Sequence, residues 1–406
     1  MNKLLAIFIV LLPLCALADD SQLDERLNPV IETEPLVAIN YKAYPGVKLK
    51  NNKIDLNGDD WSALKTKYQA ALAGDSIFSI VYLGDSHVQA DFGGAVLRQR
   101  MQARRPAGRG IIIPFRLAGT NQPLDYKITT NSPLITSKLM RTPWSTEMPF
   151  TGVGIQPLEA DFSLQLHSDT SAKRLRIHSR GGRIDIMDVK ADSVPVDFNA
   201  FVDDDGLTVV DIERNANDFD LMMRADGDVV IGGIELLAAD AGIVEHSIGN
   251  NGATFSDYAL INHFGSELAN LHPDLVVVAL GTNEAFGRMS VETLQNNIDN
   301  LLRSIKAYSP QTKILLVGPS DCYRRRGRRR RRVLVVNPRA ATVAKGIRLY
   351  AESEHIPYYN FYSIAGSAAS QRKSKLLSKD GVHFTATGYR LWGNLLSDAL
   401  ITTLEQ

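Results

Sequence analysis

The chain has 406 residues with 45 basic and 45 acidic side chains, and at 44% hydrophobic and 22% charged it has an ordinary globular composition. Low-complexity disorder, collagen-like repetition and a whole-protein polycation are excluded, while the length allows one large domain or two smaller ones, each with a real core. Two cysteines, Cys15 and Cys322, are too few for a disulfide scaffold.

At the start, Asn2 and Lys3 precede an apolar run from Leu4 to Leu17 that ends in Ala16-Leu17-Ala18, the pattern of an export signal cut before Asp19. The run is shorter than the ~20 residues a spanning helix needs. We therefore expect a signal peptide at 1–18 rather than a retained anchor, and Cys322 alone in the mature chain. No later segment is long and apolar enough to cross a membrane. The expected location is the periplasm, with secretion or attachment to the cell envelope as the alternative. Taking Lys3 and the eight arginines between Arg324 and Arg332 from the balanced total leaves the remainder at about minus nine. The basicity is local.

Residues 19–55 hold scattered prolines (Pro29, Pro35, Pro45) and no sustained period, and read as a leader arm. Helical spacing runs from Trp61 to Leu72 and stops at Gly74. Ile77 to Leu83 is a continuous apolar run of the kind buried on both faces of a parallel sheet. Gly84-Asp85-Ser86-His87 follows, and then a predicted helix from about Gln89 to Arg104. Between about Gly108 and Gly242 the texture becomes short alternating segments, such as Leu175-Arg176-Ile177-His178 and Leu207 to Ile212, enough for a β-sandwich.

From Ile243 strands alternate with helices again: strands near Leu275–Leu280, Ile314–Val317 and Tyr358–Phe361, helices near 256–270, 290–308, 338–354 and 386–404. The expectation is one α/β domain with a parallel sheet, residues 56–107 and 243–406, interrupted by an all-β insert at 108–242.

Gly-Asp-Ser occurs twice, at 74–76 and 84–86. Reactive groups in open parallel sheets gather at the carboxyl ends of strands. Ser86 lies just beyond a strand and Ser76 before it, so Ser86 is the nucleophile candidate and Ser76 a turn residue. A serine nucleophile needs a base, and the base an orienting acid. Asp380-Gly381-Val382-His383 offers both in one loop, with the imidazole Nε2 left free for Ser86. His87 is expected to pack or hydrogen-bond locally. His167 and His178 read as structural, and His246 as a candidate supporting residue. Two further loops follow strands: Ser247 to Thr254, where the Gly252 N–H can face inward, and Gly281-Thr282-Asn283-Glu284, whose asparagine can offer an amide. Each alone is also a plausible turn. Both could donate to a developing oxyanion.

In this order, Gly84-Asp85-Ser86, Gly252, Gly281-x-Asn283 and Asp380-x-x-His383 resemble the four blocks of the SGNH (GDSL-type) hydrolases. His87 departs from the family motif, which has leucine there. The resemblance covers about 56–105 and 243–404 and implies a three-layer, flavodoxin-like α/β fold. It implies Ser86 as nucleophile, the Ser86 and Gly252 N–H groups and the Asn283 amide as oxyanion donors, and Asp380 and His383 as acid and base. Gly84 to Asp91 and Gly281 to Phe286 look most like the exported peptidoglycan O-acetylesterases, which carry a carbohydrate-module-like β-domain inserted after the first block. The implied reaction is removal of an acetyl ester from cell-wall glycan, at C6 of muramic acid, through an acetyl-enzyme. It needs no metal or cofactor, and the partner it implies is an acetylated glycan, peptidoglycan, with no nucleic acid. The alternatives are an esterase or acetyltransferase for another acetylated polysaccharide, and a non-catalytic glycan-binding wall protein. The arginine run reads either as a solvated loop or as an attractor of an anionic polymer.

Overall fold

The computed structural model describes residues 39–327 and 332–406. The expected signal peptide, the first half of the leader arm and Arg328 to Arg331 lie outside the described residues. Strands β1 (Ile54–Asp55) and β2 (Ile77–Gly84) come first, followed by β3 (Gly108–Ile112), β4 (Tyr126–Thr129), β5 (Leu134–Lys138) and β6 (Val153–Pro157). Next come β7 (Asp161–Ala191), β8 (Val194–Pro195), β9 (Phe198–Val202) and β10 (Thr208–Leu237). The chain then forms β11 (Gly242–Gly249), β12 (Leu275–Ala279), β13 (Lys313–Val317), β14 (Tyr323–Arg326), β15 (Val333–Val336) and β16 (Tyr358–Tyr359).

Six of these make a sheet in the order β1-β16-β13-β12-β2-β11, parallel throughout except for β1 at its edge. Its strands read as unbroken apolar runs because both faces are covered. Phe78, Ile80 and Tyr82 of β2 pack against the helices Ser62–Ala73, Phe92–Met101 and Ala386–Glu405. Val81 and Leu83 turn to the opposite face, under the helices Phe255–Ala259, Phe264–Ala269, Val291–Tyr308 and Pro338–Ser353. Each such buried side chain contributes roughly 1.5–3 kcal/mol, and the result is an α/β fold in three layers. The chain passes from β11 over β2 to β12, so the connections diverge at the carboxyl end of β2. A crevice opens at that point in such sheets, and Ser86 stands there.

Strands β3 to β10 form a second, antiparallel sheet between the neighbours β2 and β11. Its long strands β7 and β10 pair with each other more than once, in two groups of pairings. In one, Phe219 lies between Leu166 and Ala191; in the other, Leu175 lies between Val210 and Leu236. Phe162, Leu164, Leu175, Ile177, Phe219, Leu221 and Ile234 fill the core they share. The alternation at Leu175 to His178 hides a second buried face. Arg176 and His178 are themselves buried, because that side meets the α/β body.

Several boundaries differ from expectation. The helix expected from Gln89 is two, Ser86–Gln89 and Phe92–Met101, because Asp91 adopts a left-handed conformation (φ 59°). That break lets its carboxylate accept from Arg98, Arg109 and Ser247. The helix near 256–270 is likewise split at Leu260–His263, and Phe361 starts a helix capped by Asn360 instead of ending a strand. The later part of the arm docks. Tyr41 donates to Asp398 at 2.5 Å, Asn52 donates to the Leu395 carbonyl and accepts from Tyr359, and β1 pairs with β16. Among the described residues no helix is long and apolar enough to cross a membrane.

Candidate active site

Three of the candidate loops, those of Ser86, Gly252 and Asn283, leave the carboxyl ends of β2, β11 and β12. Strand β2 ends at Gly84, where a Cβ would lie 2.4 Å from the Val88 side chain and 2.9 Å from the Ala279 carbonyl. Only a bare backbone fits. Asp85 then caps the short helix, its Oδ1 accepting from the His87 N–H at 2.9 Å, and Ser86 is the first helical residue. From the far end of the chain, the loop before the last helix brings His383 to it. The Ser86 Oγ lies 2.9 Å from His383 Nε2, and His383 Nδ1 lies 2.7 Å from Asp380 Oδ2. The other Asp380 oxygen accepts from Ser378 Oγ and from the N–H groups of Val382 and His383. The structure thus brings together Ser86, His383 and Asp380, but not Ser76, which lies at the opposite end of β2.

Electrostatics follow from this chain of contacts. Burial works to raise the Asp380 carboxyl, but its hydrogen bonds and the His383 charge hold it well below the usual carboxylate range. Burial works to lower His383, and the bond to Asp380 overrides it, leaving the imidazole above its ordinary value. His87 is pushed down to about 3 by burial and by the neighbouring His383. It is a neutral ring packed 5.2 Å from His383, with Nδ1 3.1 Å from the Tyr389 hydroxyl and Phe384 and Trp392 behind it. It supports the base and does not compete with it.

Gly252 and Asn283 sit in loops tied to Ser86's own turn. Gly252 has φ 84°, the left-handed region that favours glycine. Its neighbours are both anchored: the Asn251 N–H donates to Gln89 Oε1 at 2.6 Å, and the Ala253 carbonyl accepts from Asn283 Nδ2 at 2.9 Å. Asn283 Nδ2 also lies 3.3 Å from Asp85 Oδ2, so its second N–H is held weakly. Hydrogen bonds thus link the Gly252 loop to Gln89 and to Asn283, and Asn283 to Asp85 beside Ser86.

The sequence reasoning missed the residues that brace these loops. Glu284 accepts from the Phe255 N–H at 2.9 Å, fastening the loop after Gly252 to the Asn283 block; burial pushes its carboxyl up to about 7. Gln89 is buried, and its amide donates to Thr120 and Asn121 of the insert while its oxygen holds Asn251. Asn250 donates to the Thr151 carbonyl and to Tyr258, whose hydroxyl in turn donates to the Gly84 carbonyl. Met140, also from the insert, lies 3.8 Å from where a Cβ of Gly252 would sit. The available signal was a Gln between the apolar Val88 and Ala90 and a Glu directly after the motif residue Asn283. His246 faces the seam instead, accepting from the Ile111 N–H with Nε2 3.7 Å from Glu235. His178 shares that buried seam and His167 pairs with Asp218 on the insert.

The profile of the GDSL-like lipase/acylhydrolase family matches residues 234–391, which hold Gly252, Asn283, Asp380 and His383; Ser86 lies ahead of the insert and outside the match. No curated protein matches the sequence. Among solved structures the chain is similar to a peptidoglycan O-acetylesterase, with 22% identity, 87% of this chain and 98% of that one covered, and a TM-score of 0.69. At that identity the likeness establishes the fold. An aryl esterase of M. smegmatis aligns over 39% of this chain and 79% of its own, with 20% identity and a TM-score of 0.30. A carbohydrate acetylesterase from Sinorhizobium meliloti aligns over 40% and 79%, with 16% identity and a TM-score of 0.30.

Proposed function

From a chain that carries a GDSL-like lipase/acylhydrolase domain, and is by that a carboxylic ester hydrolase, we propose an exported esterase that removes O-acetyl groups from cell-wall glycan, at C6 of muramic acid in peptidoglycan. The observation that carries the reading is the hydrogen-bonded line from Ser86 Oγ through His383 to Asp380. His383 takes the Ser86 proton as the oxygen attacks the acetyl carbonyl, and Asp380 holds the ring in the tautomer that leaves Nε2 as acceptor. The N–H groups of Ser86 and Gly252 and the Asn283 amide receive the oxyanion, Asn283 exchanging its long Asp85 contact for the developing charge. Collapse returns the proton to the sugar oxygen and leaves an acetyl-enzyme. Water, deprotonated by the same imidazole, then releases acetate.

The choice of glycan draws on the fold shared with a peptidoglycan O-acetylesterase over nearly all of that protein's length, on the export signal, and on the all-β stretch 108–242. We read that stretch as an inserted, carbohydrate-module-like domain between the two parts of the hydrolase, with the periplasm as the working compartment. Two measurements test the proposal. With p-nitrophenyl acetate, Ser86→Ala should lose about 10³-fold or more of kcat, the scale of removing a triad member; a variant as active as wild type removes the nucleophile. Acetate release should favour O-acetylated wall glycan over acetylated xylan, and an equal or inverted preference defeats the wall assignment while leaving the mechanism standing.

A further inference from the structure

The described ends of the arginine run, Arg324 to Arg326 and Arg332, stand on or beside a hairpin fastened to the loops of the site. Strands β14 and β15 form a two-stranded hairpin whose base is fastened on both sides to the loops just described. On one side the Tyr323 N–H donates at 2.8 Å to the carbonyl of Gly381, between Asp380 and His383. On the other, Asn337 closes the hairpin by donating its N–H to the Cys322 carbonyl, and its side-chain amide donates at 3.0 Å to the carbonyl of Ala285, two residues past Asn283. The Tyr323 ring packs on Gly381 and lies under the Arg372 guanidinium, 5.4 Å from its centre.

Charge distinguishes this hairpin from the rest of the molecule. Many arginines elsewhere, such as Arg98, Arg109, Arg174, Arg176, Arg180 and Arg224, face a carboxylate. Among the described residues Arg324, Arg325, Arg326 and Arg332 face none, and all but Arg324 are exposed. Across the hairpin each arginine opposes an aliphatic residue, Arg324 with Val335, Arg325 with Leu334 and Arg326 with Val333, so no acid neutralises them there either. A concentrated positive charge therefore stands on a hairpin whose base is bonded to the Asp380–His383 loop, in an otherwise negative chain. Its repulsion is relieved only by anions from outside. Arginines and aliphatic residues share both faces, which leaves no apolar face to enter a lipid surface, and the one aromatic ring is already covered, which leaves none to stack a base.

We propose that the hairpin β14/β15 is a docking surface for the carboxylate groups of the polymer that carries the ester, holding a polyanionic glycan over Ser86. The inference rests on the ester-hydrolase reading of that site and adds the charge class of its polymer. A field of this kind raises encounter rates by roughly 10- to 10³-fold. It fades as the Debye length shrinks from about 10 Å at 0.1 M salt to about 3 Å at 1 M.

The test compares three substrates at low and high salt: O-acetylated wall glycan with free carboxylates, the same glycan with its carboxylates amidated, and p-nitrophenyl acetate. The full chain is used as wild type, as R324Q/R325Q/R326Q and as R324K/R325K/R326K. At low salt the Gln variant should lose about tenfold or more in kcat/KM on the free-carboxylate glycan. It should match wild type on the amidated glycan and on p-nitrophenyl acetate, the Lys variant should keep the wild-type rate, and 1 M salt should remove the difference. Equal rates of Gln variant and wild type on the free-carboxylate glycan overturn the proposal, as does a loss of the same size on amidated glycan or on p-nitrophenyl acetate. If wild type hydrolyses p-nitrophenyl acetate but releases nothing from wall glycan, the wall assignment has failed separately. The same comparison then runs on acetylated polygalacturonate against neutral acetylated xylan, where equal losses on both overturn the docking surface. Binding of the hairpin to duplex DNA or anionic vesicles, with no effect of substrate carboxylates on rate, also overturns it.

Discussion

At the scale of single residues, the pairing of Asp380 with His383 sets when the site can work. A base must be neutral to take the Ser86 proton, and Asp380 holds the His383 pKa above the ordinary 6.5. The profile of kcat/KM, which reports groups in the free enzyme, should therefore climb with rising pH with a midpoint above 6.5. Asp380→Asn removes the anion that favours the charged ring. The burial that remains favours the neutral ring, so the midpoint should move to lower pH while kcat falls by orders of magnitude from loss of the tautomer. A variant whose midpoint stays put would mean that another group sets the limb. His87 is no candidate for that role, because burial keeps it neutral far into the acid range.

Among elements, the decisive contact is the one Gln89 makes. A single amide at the end of the helix Ser86–Gln89 holds the Asn251 N–H on one side and Thr120 and Asn121 on the other, so the nucleophile's helix, the Gly252 loop and the β-insert share one polar anchor. Leaving such groups unpaired costs about 1–3 kcal/mol. Where that energy is expressed as misplacement of Gly252, it appears in the transition state rather than in binding. Gln89→Ala should lower kcat for p-nitrophenyl acetate roughly tenfold or more, with KM little changed. A rise in KM at constant kcat would show that Gln89 shapes substrate binding and does not position the oxyanion donor.

Across the whole molecule, the stretch 108–242 with its antiparallel sheet and the α/β body are joined by charge as well as by chain. Arg109, at the start of the insert and 1% exposed, bonds Asp91 of the body at 2.9 Å and Asp125 of the insert at 3.0 Å, while Arg98 bridges Asp91, Asp125 and Glu245. Removing one partner from such a network strands the others in low dielectric, at about 3–5 kcal/mol. Arg109→Leu should therefore lower the denaturation midpoint by several degrees. Esterase activity should be lost together with the seam, since Thr151 and Asn121 of the insert hold the Asn250–Asn251 loop. A variant with unchanged midpoint would mean that the Arg109 bonds do not hold the two parts together.

What the sequence determined by itself is whatever depends on short-range pattern. Apolar runs bounded by Gly and Asp placed β2, β12 and β13 within a residue or so, and chemically distinctive tripeptides marked Ser86, Asp380 and His383. Those patterns carry their own physics, the period of a buried strand and the turn that a glycine permits. Tertiary structure decided everything that depends on contacts beyond the reach of a local period: the break at Asp91, whose carboxylate meets Arg109 and Ser247, and the burial of Arg176 on the polar side of an alternating strand. It also decided the bracing of Gly252 by Gln89 and Glu284, and the seating of the arginine hairpin on Gly381. None of these leaves a local period or motif, because a hydrogen-bond partner brought in by folding has no fixed spacing along the chain.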